Sequence, residues 1–516
     1  MSTPEELELK LEVPAASLSN LGNLPTLRTQ PATTQTVVSV YYDTDKQKLR
    51  RNGFLLRVRR IGDRHVQTIK AVRGSQLFAR DEWEDEIEDE TPDMRLARGT
   101  ALEPLVNRKL WERLKPIFET RVQRKTFCIC DADRAIEVAL DRGRIDTGEH
   151  AQPLCELELE LARGTKAALF DLAREVADAL PARLALRSEA ERGFSLLDGT
   201  ETTSLKAALV ELRPEMRADD GLRAIGRSCL RQVADKVPAL EAGDPEGVHQ
   251  MRVGLRRLRA AMSLFGDFLS DTQSAALKRE VKWLTKELAP ARELEVLVQR
   301  VVIPVNRQHA RLSGLSSMAR ALVRQRGDAL DQARAAVGSP RFRRLLLDIA
   351  GWIEIGRWAS PRDDLLRGRI EMPITTFAAA ALQRSWRKLR KKGKALRELD
   401  GRGRHKLRIQ GKKLRYASEF FATLFQRRKG AKRQKPFLSK LKSLQASLGE
   451  LNDIVVHEDL IRANAHLDGR AGTRRTDPTS AFAAGYLTGH EDARLEAALE
   501  DAAQACATLV RTKPFW

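Results

Sequence analysis

The chain has 516 residues, of which 42% are apolar and 31% are charged, and its net charge is +21. This length exceeds one ordinary domain, and the apolar content excludes a chain that is disordered throughout. No stretch approaches the ~20 consecutive apolar residues of a membrane-spanning helix, so we expect a cytoplasmic protein with no membrane partner.

The positive charge is concentrated in the second part of the chain. Residues 1–200 contain 31 basic and 34 acidic residues, whereas the rest of the chain contains 60 basic and 36 acidic residues. A strongly basic region attracts polyanions such as nucleic acid, an anionic membrane surface or a phosphate polymer. Charge alone does not distinguish between these partners.

The first 200 residues predict an α+β domain. Polar and apolar residues alternate in short runs, as is typical of strands, at 6–11, 56–59, 66–70 and 155–160. Stretches at about 92–118 and 164–180 are predicted as helices. A polar, turn-forming segment follows, so we expect a domain at 1–200, a linker at 201–214 and a second domain at 215–516.

The charged residues of these strands share one face of each strand, with many Leu, Val and Ile residues between them. On an ordinary sheet such a face is only solvated. If the strands close into one sheet, however, the charged faces line an interior, where unpaired charge costs several kcal/mol per ion. Carboxylates in such an interior suit Mg²⁺ or Mn²⁺, and Arg and Lys suit phosphate oxygens. Phosphoryl transfer needs both kinds of group.

An ordered set of motifs covers nearly all of residues 5–195. It comprises Glu6-x-Glu8-x-Lys10, Tyr42-Asp43-Thr44, Gly53-x-x-x-Arg57-x-Arg59, Thr68-x-Lys70, Arg80-x-Glu82, Arg124, Asp141-x-Gly143, Glu156-x-Glu158-x-Glu160 and Ser188-x-x-x-Arg192-Gly193. The set resembles the CYTH superfamily, the triphosphate tunnel metalloenzymes. The resemblance implies an eight-stranded antiparallel β tunnel with flanking helices, which binds inorganic or nucleoside triphosphate together with Mg²⁺ or Mn²⁺. It also implies attack by water, without a protein nucleophile.

The resemblance implies roles for individual residues. The metal ligands would be Glu6, Glu8, Asp141, Glu156, Glu158 and Glu160; the phosphate-binding residues would be Lys10, Arg57, Arg59, Lys70, Arg80, Arg124 and Arg192; and Glu82 and Ser188 would support catalysis. One position departs from the family pattern, because Glu189 stands where the family has Lys. An anion thus replaces a cation that is expected near the substrate.

The second domain is predicted to be helical and to contain an internal repeat. His249, Arg252, Arg256 and Arg259 recur at the same offsets as His405, Arg408, Lys412 and Arg415. Offsets of 0, 3, 7 and 10 fall on one side of a helix, so each set forms a basic stripe. The repeat predicts two pseudo-symmetric helical bundles, at about 215–370 and 371–516.

Two interpretations of the stripes stay open on physical grounds. Glu293, Glu295 and Asp453 could neutralise them as internal salt bridges, or the stripes could line a groove that binds anions. The segments at 248–259 and 405–416 resemble the two signatures of the CHAD domain, the conserved histidine α-helical domain. That resemblance implies binding of inorganic polyphosphate by all eight stripe residues and an association with polyphosphate granules.

The sequence therefore predicts a metal-dependent hydrolase of inorganic triphosphate joined to a polyphosphate-binding domain. Aromatic residues make up only 5% of the chain, which argues against base stacking with single-stranded nucleic acid. A non-catalytic polyphosphate scaffold and an adenylate cyclase are the alternatives. No oligomeric state is predicted.

Overall fold

A computed structural model describes residues 6–28, 30–71, 79–200, 209–309, 311–312, 314–360, 363–426, 428–465 and 478–516, without the side chains of residues 6, 20, 22, 23, 79, 80, 428 and 429. The chain divides into two compact units. The first combines Met1–Leu205 with Gly338–Ile355, and the second combines Lys206–Val337 with Gly356–Trp516.

The first unit is built on one antiparallel sheet. In the described part of the chain its strands are β1 (Glu6–Glu12), β2 (Ala32–Asp43), β3 (Phe54–Ile61), β4 (Arg64–Ala71), β5 (Ala79–Ile87), β6 (Lys115–Cys130), β7 (Ala135–Asp146), β8 (Ala151–Arg163) and β9 (Arg183–Ala185). The order is β5-β4-β3-β2-β6-β7-β8-β1, and pairing of β1 with β5 closes these eight strands into a barrel. Short β9 adds to β1. The predicted eight-stranded tunnel is confirmed.

The register places the predicted charged residues on the inner face of the barrel. Lys10 pairs with Glu158 across β1 and β8, and Asp141 pairs with Arg124 and Glu156 on its two neighbouring strands. Directly paired residues point to the same side of a sheet, so these side chains share the interior. The alternate residues point outward, and Leu9 is fully buried on that side.

The helices differ widely in length, and the longest has 38 residues. In chain order they are α1 (Pro25–Arg28), α2 (Lys48–Arg51), α3 (Arg108–Trp111), α4 (Lys166–Ala179), α5 (Glu189–Leu197), α6 (Ala218–Ala234), α7 (Val237–Glu241), α8 (Pro245–Leu264), α9 (Thr272–Glu287), α10 (Ala289–Leu297), α11 (Ile303–Gln308), α12 (Leu315–Gly338), α13 (Pro340–Ile355), α14 (Asp364–Glu371), α15 (Ile374–Gly393), α16 (Gly401–Phe420), α17 (Arg428–Ala465), α18 (Pro478–Asp492) and α19 (Leu495–Val510). Among the described residues, no helix is both long and apolar enough to cross a membrane.

Helix α5 lies against the inner faces of β6 and β7 at one end of the barrel. Phe194 of α5 packs with Phe118 and Val122, which point inward from β6. A Cβ atom on Gly193 would lie only 2.3 Å from the Phe118 ring, so glycine permits this close approach. The helix therefore forms an apolar end to the interior, and its first residue, Glu189, lies next to the charged groups.

The predicted helix at 92–118 is wrong over most of its length. The segment contains a 3₁₀ turn at Glu103–Leu105 and the four-residue α3, and β6 begins at Lys115. Pro92, Gly99, Pro104 and Pro116 punctuate it, which prevents a continuous helix. Its apolar residues instead pack, from turns, on the outer faces of β3 and β4. The second predicted helix, at 164–180, is confirmed as α4.

Helix α13 belongs to the first unit, although its sequence lies within the helical half of the chain. Arg174 of α4 donates to Asp348 at 3.0 Å, and Arg344 donates to Asp178 of α4 at 2.9 Å. One turn further along α13, Gly351 faces Phe170 and Arg174 closely enough that a Cβ atom would contact both side chains. The first unit therefore contains one helix whose sequence lies between two segments of the second unit.

The second unit is all α, and its two halves repeat one arrangement. Helix α6 packs on α8 as α15 packs on α16. The stripe helix of each half is then followed by helices that pack on it, α9 and α10 in one half and α17 in the other. Pro290 near the start of α10 separates it from α9, whereas α17 runs unbroken through the equivalent position, Glu450.

Candidate functional site

Two basic side chains hold the carboxylates at the middle of the barrel. Arg124 donates to the two oxygens of Asp141 at 2.8 and 2.6 Å and to Glu158 Oε2 at 2.6 Å. Lys10 Nζ pairs with the other oxygen of Glu158 and lies 2.9 Å from Glu8. Burial raises the pKa of Glu158, but Lys10 and Arg124 outweigh burial and hold that pKa well below its ordinary value.

A second group of ion pairs lines the wall formed by β3, β4 and β5. Lys70 Nζ lies 2.6 Å from one oxygen of Glu82, and Arg57 lies 3.3 Å from the other. The Thr68 hydroxyl donates to Glu84 at 2.9 Å. Burial lowers the pKa of the Lys70 ammonium, and the neighbouring Arg57 lowers it further. An anion that entered here would relieve this repulsion.

Arg59 is an inward-facing cation for which the described residues offer little compensating charge. Its Nε atom is buried and has no hydrogen-bond partner among the described residues. Burial lowers the pKa of Arg59, and so does repulsion from Arg57 and Arg124. A guanidinium in this condition is suited to bind phosphate oxygens, which would supply the missing acceptors.

The carboxylates of the interior fit a hard divalent cation. Among the residues that the structure describes, oxygens of Asp141, Glu158 and Glu189 lie within 4.8 Å of one another. Nearby Glu156 is fully buried, and neither of its oxygens has a hydrogen bond to a described residue. Burial raises the pKa of Glu156 well above its ordinary value, and Glu189 and Glu158 add to that effect. Mg²⁺ and Mn²⁺ prefer such oxygen ligands.

In the second unit, α8 and α16 bring their basic stripes together. Burial lowers the pKa of Lys412 on α16 to about 6, with further lowering by Arg408 and by Arg256 of α8. Burial likewise lowers the pKa of Arg252 to about 10, with contributions from Arg256 and Arg408. Cations from both repeats therefore repel one another within one cluster.

Two family models match the chain in order. One describes the CYTH domain and covers residues 4–194, and the other describes the CHAD domain and covers residues 224–462. The chain contains a CYTH domain followed by a CHAD domain.

Individual relatives match parts of the chain. An inorganic triphosphatase from Haemophilus influenzae is 32% identical over 162 residues, which are 31% of this chain and 45% of that protein, so the match spans less than half of the relative's length. The crystal structure of the CHAD domain from the plant Ricinus communis is 26% identical with a TM-score of 0.50, and covers 59% of this chain and 96% of that one. PptA from Streptomyces chartreusis is 20% identical over 56% of this chain and 99% of that one, with a TM-score of 0.40, which is too low to support an inference.

Most of the predicted site residues of the CYTH domain lie in the tunnel. Those whose side chains share the inner face are Glu8, Lys10, Arg57, Arg59, Lys70, Glu82, Arg124, Asp141, Glu156, Glu158 and Glu160. Burial raises the pKa of Glu160, with further contributions from Glu137 and Glu8. Glu6 and Arg80 pair through their backbones, and their side chains lie outside the described part of the chain.

The other two predicted residues belong to α5. Ser188 caps this helix, because its hydroxyl accepts from the Glu191 backbone N–H at 3.2 Å. Arg192 donates to the Pro153 carbonyl at 3.1 Å and lies 3.5 Å from Glu156. The segment is thus a helix rather than a strand, and Arg187 beside it donates to Ser195.

Tyr41 is a tunnel residue that the sequence analysis missed. Its hydroxyl donates to Glu189 Oε2 at 3.2 Å, and the side chain lines an interior cavity together with Lys10, Arg57 and Lys70. The signal was present in the sequence, because Tyr41 precedes the matched Tyr42-Asp43-Thr44 motif and alternates with Ser39 on the same face. An aromatic residue in a strand is more often part of a core, which obscured it.

The stripe residues of the CHAD domain have unequal partners. Glu293 lies 3.5 Å from Arg252, and Asn452 accepts from Arg408 at 2.9 Å and lies 3.0 Å from the His405 ring. Burial and Arg292 lower the pKa of His249 to about 4. Of the remaining stripe residues, Arg415 pairs with Glu419 on its own helix, and Arg259 is exposed. Glu295 pairs with Arg326 at 3.6 Å.

Proposed function

We propose that the CYTH domain hydrolyses inorganic triphosphate to pyrophosphate and phosphate, with Mg²⁺ or Mn²⁺ as cofactor. The observation that carries this proposal is the convergence of Arg124, Lys10, Asp141 and Glu158 in a closed barrel. The similarity to a triphosphatase supports the substrate. Bound metal would neutralise charge on the phosphates and activate water.

The side chains of the tunnel would exchange partners when substrate enters. Lys10, Arg57, Lys70 and Arg124 would transfer from carboxylates to phosphate oxygens. Arg59 would bind phosphate directly, and Arg80 and Arg192 would assist. The freed carboxylates of Glu8, Asp141, Glu156, Glu158 and Glu160, with Glu6, would hold metal. Glu82 would position Lys70 and Arg57, which both contact it already, and Ser188 would fix the start of α5.

A product assay separates this function from its alternatives. The whole protein is incubated with triphosphate, ATP or polyphosphate and with Mg²⁺ or Mn²⁺, and the products are identified by ³¹P NMR. Pyrophosphate and phosphate in equal amounts are expected from triphosphate. Cyclic AMP from ATP would instead identify a cyclase, and no turnover with any substrate would identify a scaffold.

A pair of neighbouring arginines provides the matched variants for this assay. Arg59→Gln removes an inward cation, and we expect it to raise KM for triphosphate at least about tenfold. Arg60→Gln is the control, because Arg60 alternates with Arg59, is 46% exposed and lies 3.6 Å from Glu90. Equal kinetics for the two variants would contradict the assignment of Arg59.

We also propose that the CHAD domain binds inorganic polyphosphate through the stripes of α8 and α16. The supporting observation is the mutual repulsion of Arg252, Arg256, Arg408 and Lys412, which a polyanion would relieve. Five buried nitrogens of the stripes, in His249, Arg252, Arg256, Arg408 and Arg415, have no hydrogen bond to a described residue. Arg259 and His405 would extend the groove, and this binding would bring the protein to cytoplasmic polyphosphate granules.

Binding of long-chain polyphosphate to the whole protein tests this second proposal. The double variant Arg252→Gln/Lys412→Gln should lose most of the affinity measured by calorimetry. The matched control is Arg402→Gln/Lys406→Gln, which makes the same two kinds of substitution at exposed positions of α16. Equal losses in both double variants would mean that only overall charge attracts the polymer.

A further inference from the structure

Glu189 occupies a fixed position beside the proposed phosphate site. It is the first residue of α5 and is only 7% exposed. The capping interaction of Ser188 with Glu191 fixes the start of the helix, and the approach of Gly193 to Phe118 fixes its distance from the barrel wall. The backbone of Glu189 is therefore held in place, and its side chain is buried beside the charged groups of the barrel.

The Glu189 carboxylate accepts a hydrogen bond from Tyr41 and lies near two other carboxylates. Tyr41, itself 4% exposed, donates to Glu189 Oε2 at 3.2 Å. Burial raises the pKa of Tyr41 to about 12, and the charge of Glu189 contributes. On its other side, Glu189 shares the 4.8 Å group with Asp141 and Glu158. A third carboxylate in this place makes the site more repulsive toward any anion.

Glu189 also acts on the cations to which we assign phosphate binding. Burial lowers the pKa of Lys10, Arg57 and Arg124, but neighbouring acidic groups, Glu189 among them, outweigh burial and raise each pKa above its ordinary value. Its carboxylate thus stabilises the same charged groups that a phosphate would stabilise. Triphosphate and the Glu189 carboxylate therefore compete for these cations unless a bound metal cation offsets their charges.

We propose that Glu189 is a specificity-determining residue, which makes the tunnel reject bare triphosphate and accept triphosphate complexed with a divalent cation. This inference rests on the proposed triphosphatase function. A bare triphosphate brings negative charge close to three carboxylates, and the repulsion weakens binding. When a divalent cation lies between Asp141, Glu158, Glu189 and the phosphates, the same carboxylates attract the complex.

Direct binding tests this inference without relying on turnover. The probe is a methylene-bridged analogue of inorganic triphosphate, and calorimetry gives its affinity for the whole protein in EDTA and in saturating Mg²⁺. We expect Mg²⁺ to strengthen binding to the unaltered protein. Glu189→Gln should bind the analogue about tenfold more tightly in EDTA and gain correspondingly less from Mg²⁺. Glu189→Lys should show both changes more strongly.

The matched control is Asp198→Asn at the other end of α5. Asp198 pairs with Arg50 at 2.6 Å, so this change removes the same charge from the same helix away from the tunnel. We expect it to leave the gain from Mg²⁺ unchanged. Glutamine matches glutamate in shape and can still accept from Tyr41, and melting curves check that each variant is folded.

The outcomes distinguish the inference from the function on which it rests. If Glu189→Gln and the unaltered protein gain equally from Mg²⁺, the role of Glu189 is wrong and the triphosphatase proposal stands. If the unaltered protein binds no analogue in either condition and hydrolyses no triphosphate, both proposals are wrong.

Discussion

Arg124 shows how a single tunnel residue carries both stability and function. It donates to Asp141, which is fully buried, and to Glu158. Burial raises the pKa of Asp141 even with Arg124 in place. Without this partner, Asp141 would retain a buried charge or take up a proton. The residue that we assign to phosphate binding is thus also the main counter-ion of a proposed metal ligand.

Substituting Arg124 should therefore destabilise the protein strongly and in a pH-dependent way. We expect Arg124→Met to lower the free energy of unfolding by about 3 kcal/mol at pH 8, because it leaves a buried carboxylate unpaired. In the variant the pKa of Asp141 is higher in the folded state than in the unfolded state. The stability of the variant therefore falls as the pH rises from the unfolded-state pKa to the folded-state pKa, so the destabilisation relative to the unaltered protein is smaller at pH 5 than at pH 8. Urea denaturation at both pH values measures the difference.

The control for this prediction is Arg121→Met on the same strand. Arg121 is 53% exposed and lies 3.4 Å from Glu119, so we expect a change within about 0.5 kcal/mol. If both variants lose the same stability, the buried ion pairs of Arg124 contribute nothing beyond those of a surface arginine.

Lys412 should make polyphosphate binding depend on pH. Its pKa is lowered to about 6 by burial and by Arg408 and Arg256, which outweigh Asp453. Without polyphosphate, Lys412 therefore binds more protons in the unfolded state than in the folded state between pH 6 and pH 10. The free energy of unfolding then falls as the pH drops from 10 to 6. A bound polyanion restores the charge of Lys412, so binding near pH 7.5 should take up about one proton.

Calorimetry in two buffers of different ionisation enthalpy measures this proton uptake. We expect affinity to rise as pH falls from 8 to 6, and Lys412→Arg to reduce both the uptake and the pH dependence, because arginine remains charged. In the unliganded protein, burial and Arg292 lower the pKa of His249 to about 4, so His249 is neutral there between pH 6 and pH 8. Unchanged proton uptake in Lys412→Arg would exclude Lys412 as its source.

At the scale of elements, the contact between α4 and α13 depends on one glycine. A Cβ atom on Gly351 would lie 3.0 Å from Arg174 Nη2 and 3.5 Å from the Phe170 ring. We expect Gly351→Leu to lower the free energy of unfolding by about 1–3 kcal/mol, because the larger side chain must push the helices apart. Thermal or urea denaturation of the whole protein checks this value.

Gly327 in α12 provides the comparison. A Cβ atom there would meet nothing within 4 Å, so Gly327→Leu should be neutral or stabilise by up to about 1 kcal/mol through helix propensity. A destabilisation equal to that of Gly351→Leu would show that leucine is tolerated equally badly in any helix of this chain, and that the close approach to α4 has no special effect.

The tunnel strands were predictable because, in a closed sheet, the alternation of polar and apolar residues decides which side chains face the interior and which face outward. Once Glu8 and Lys10 were placed on an inner face, pairing with β8 fixed Glu158 and Glu160 on that face too. The stretch at 92–118 was not predictable in this way. Its apolar residues are spaced as in a helix, but Pro and Gly break the backbone, and the outer face of the barrel selects the buried side chains.

The position of α13 could not be read from the sequence either. Its apolar residues recur with the same helical period as those of the neighbouring α12, and periodicity says which face is buried but not against which partner. Only the pairs of α13 with α4, through Asp348 and Arg344, reveal that it joins the first unit. The same limit applied to Glu189, whose charge was visible in the sequence but whose contact with Tyr41 was not.

At the scale of the whole molecule, the first compact unit is discontinuous in sequence. Cutting the chain after residue 205 removes α13, which belongs to the same unit and packs on α4 and β9. Burying one large apolar side chain contributes about 1.5–3 kcal/mol, so we expect the isolated fragment 1–205 to lose at least about 3 kcal/mol of stability. A truncation placed in the predicted linker would therefore give a weakened tunnel domain.

Adding α13 as a separate peptide tests whether this helix stabilises the first unit. We expect a peptide of residues 338–356 to bind the fragment 1–205 with one-to-one stoichiometry and to raise its urea midpoint, because the α4 surface that α13 covers is otherwise exposed. Fluorescence anisotropy of a dye at the N-terminus of the peptide measures the binding. The same peptide with Gly351→Leu should bind at least about tenfold more weakly. If neither peptide changes the midpoint, α13 is dispensable for the first unit, and the tunnel domain is stable on residues 1–205 alone.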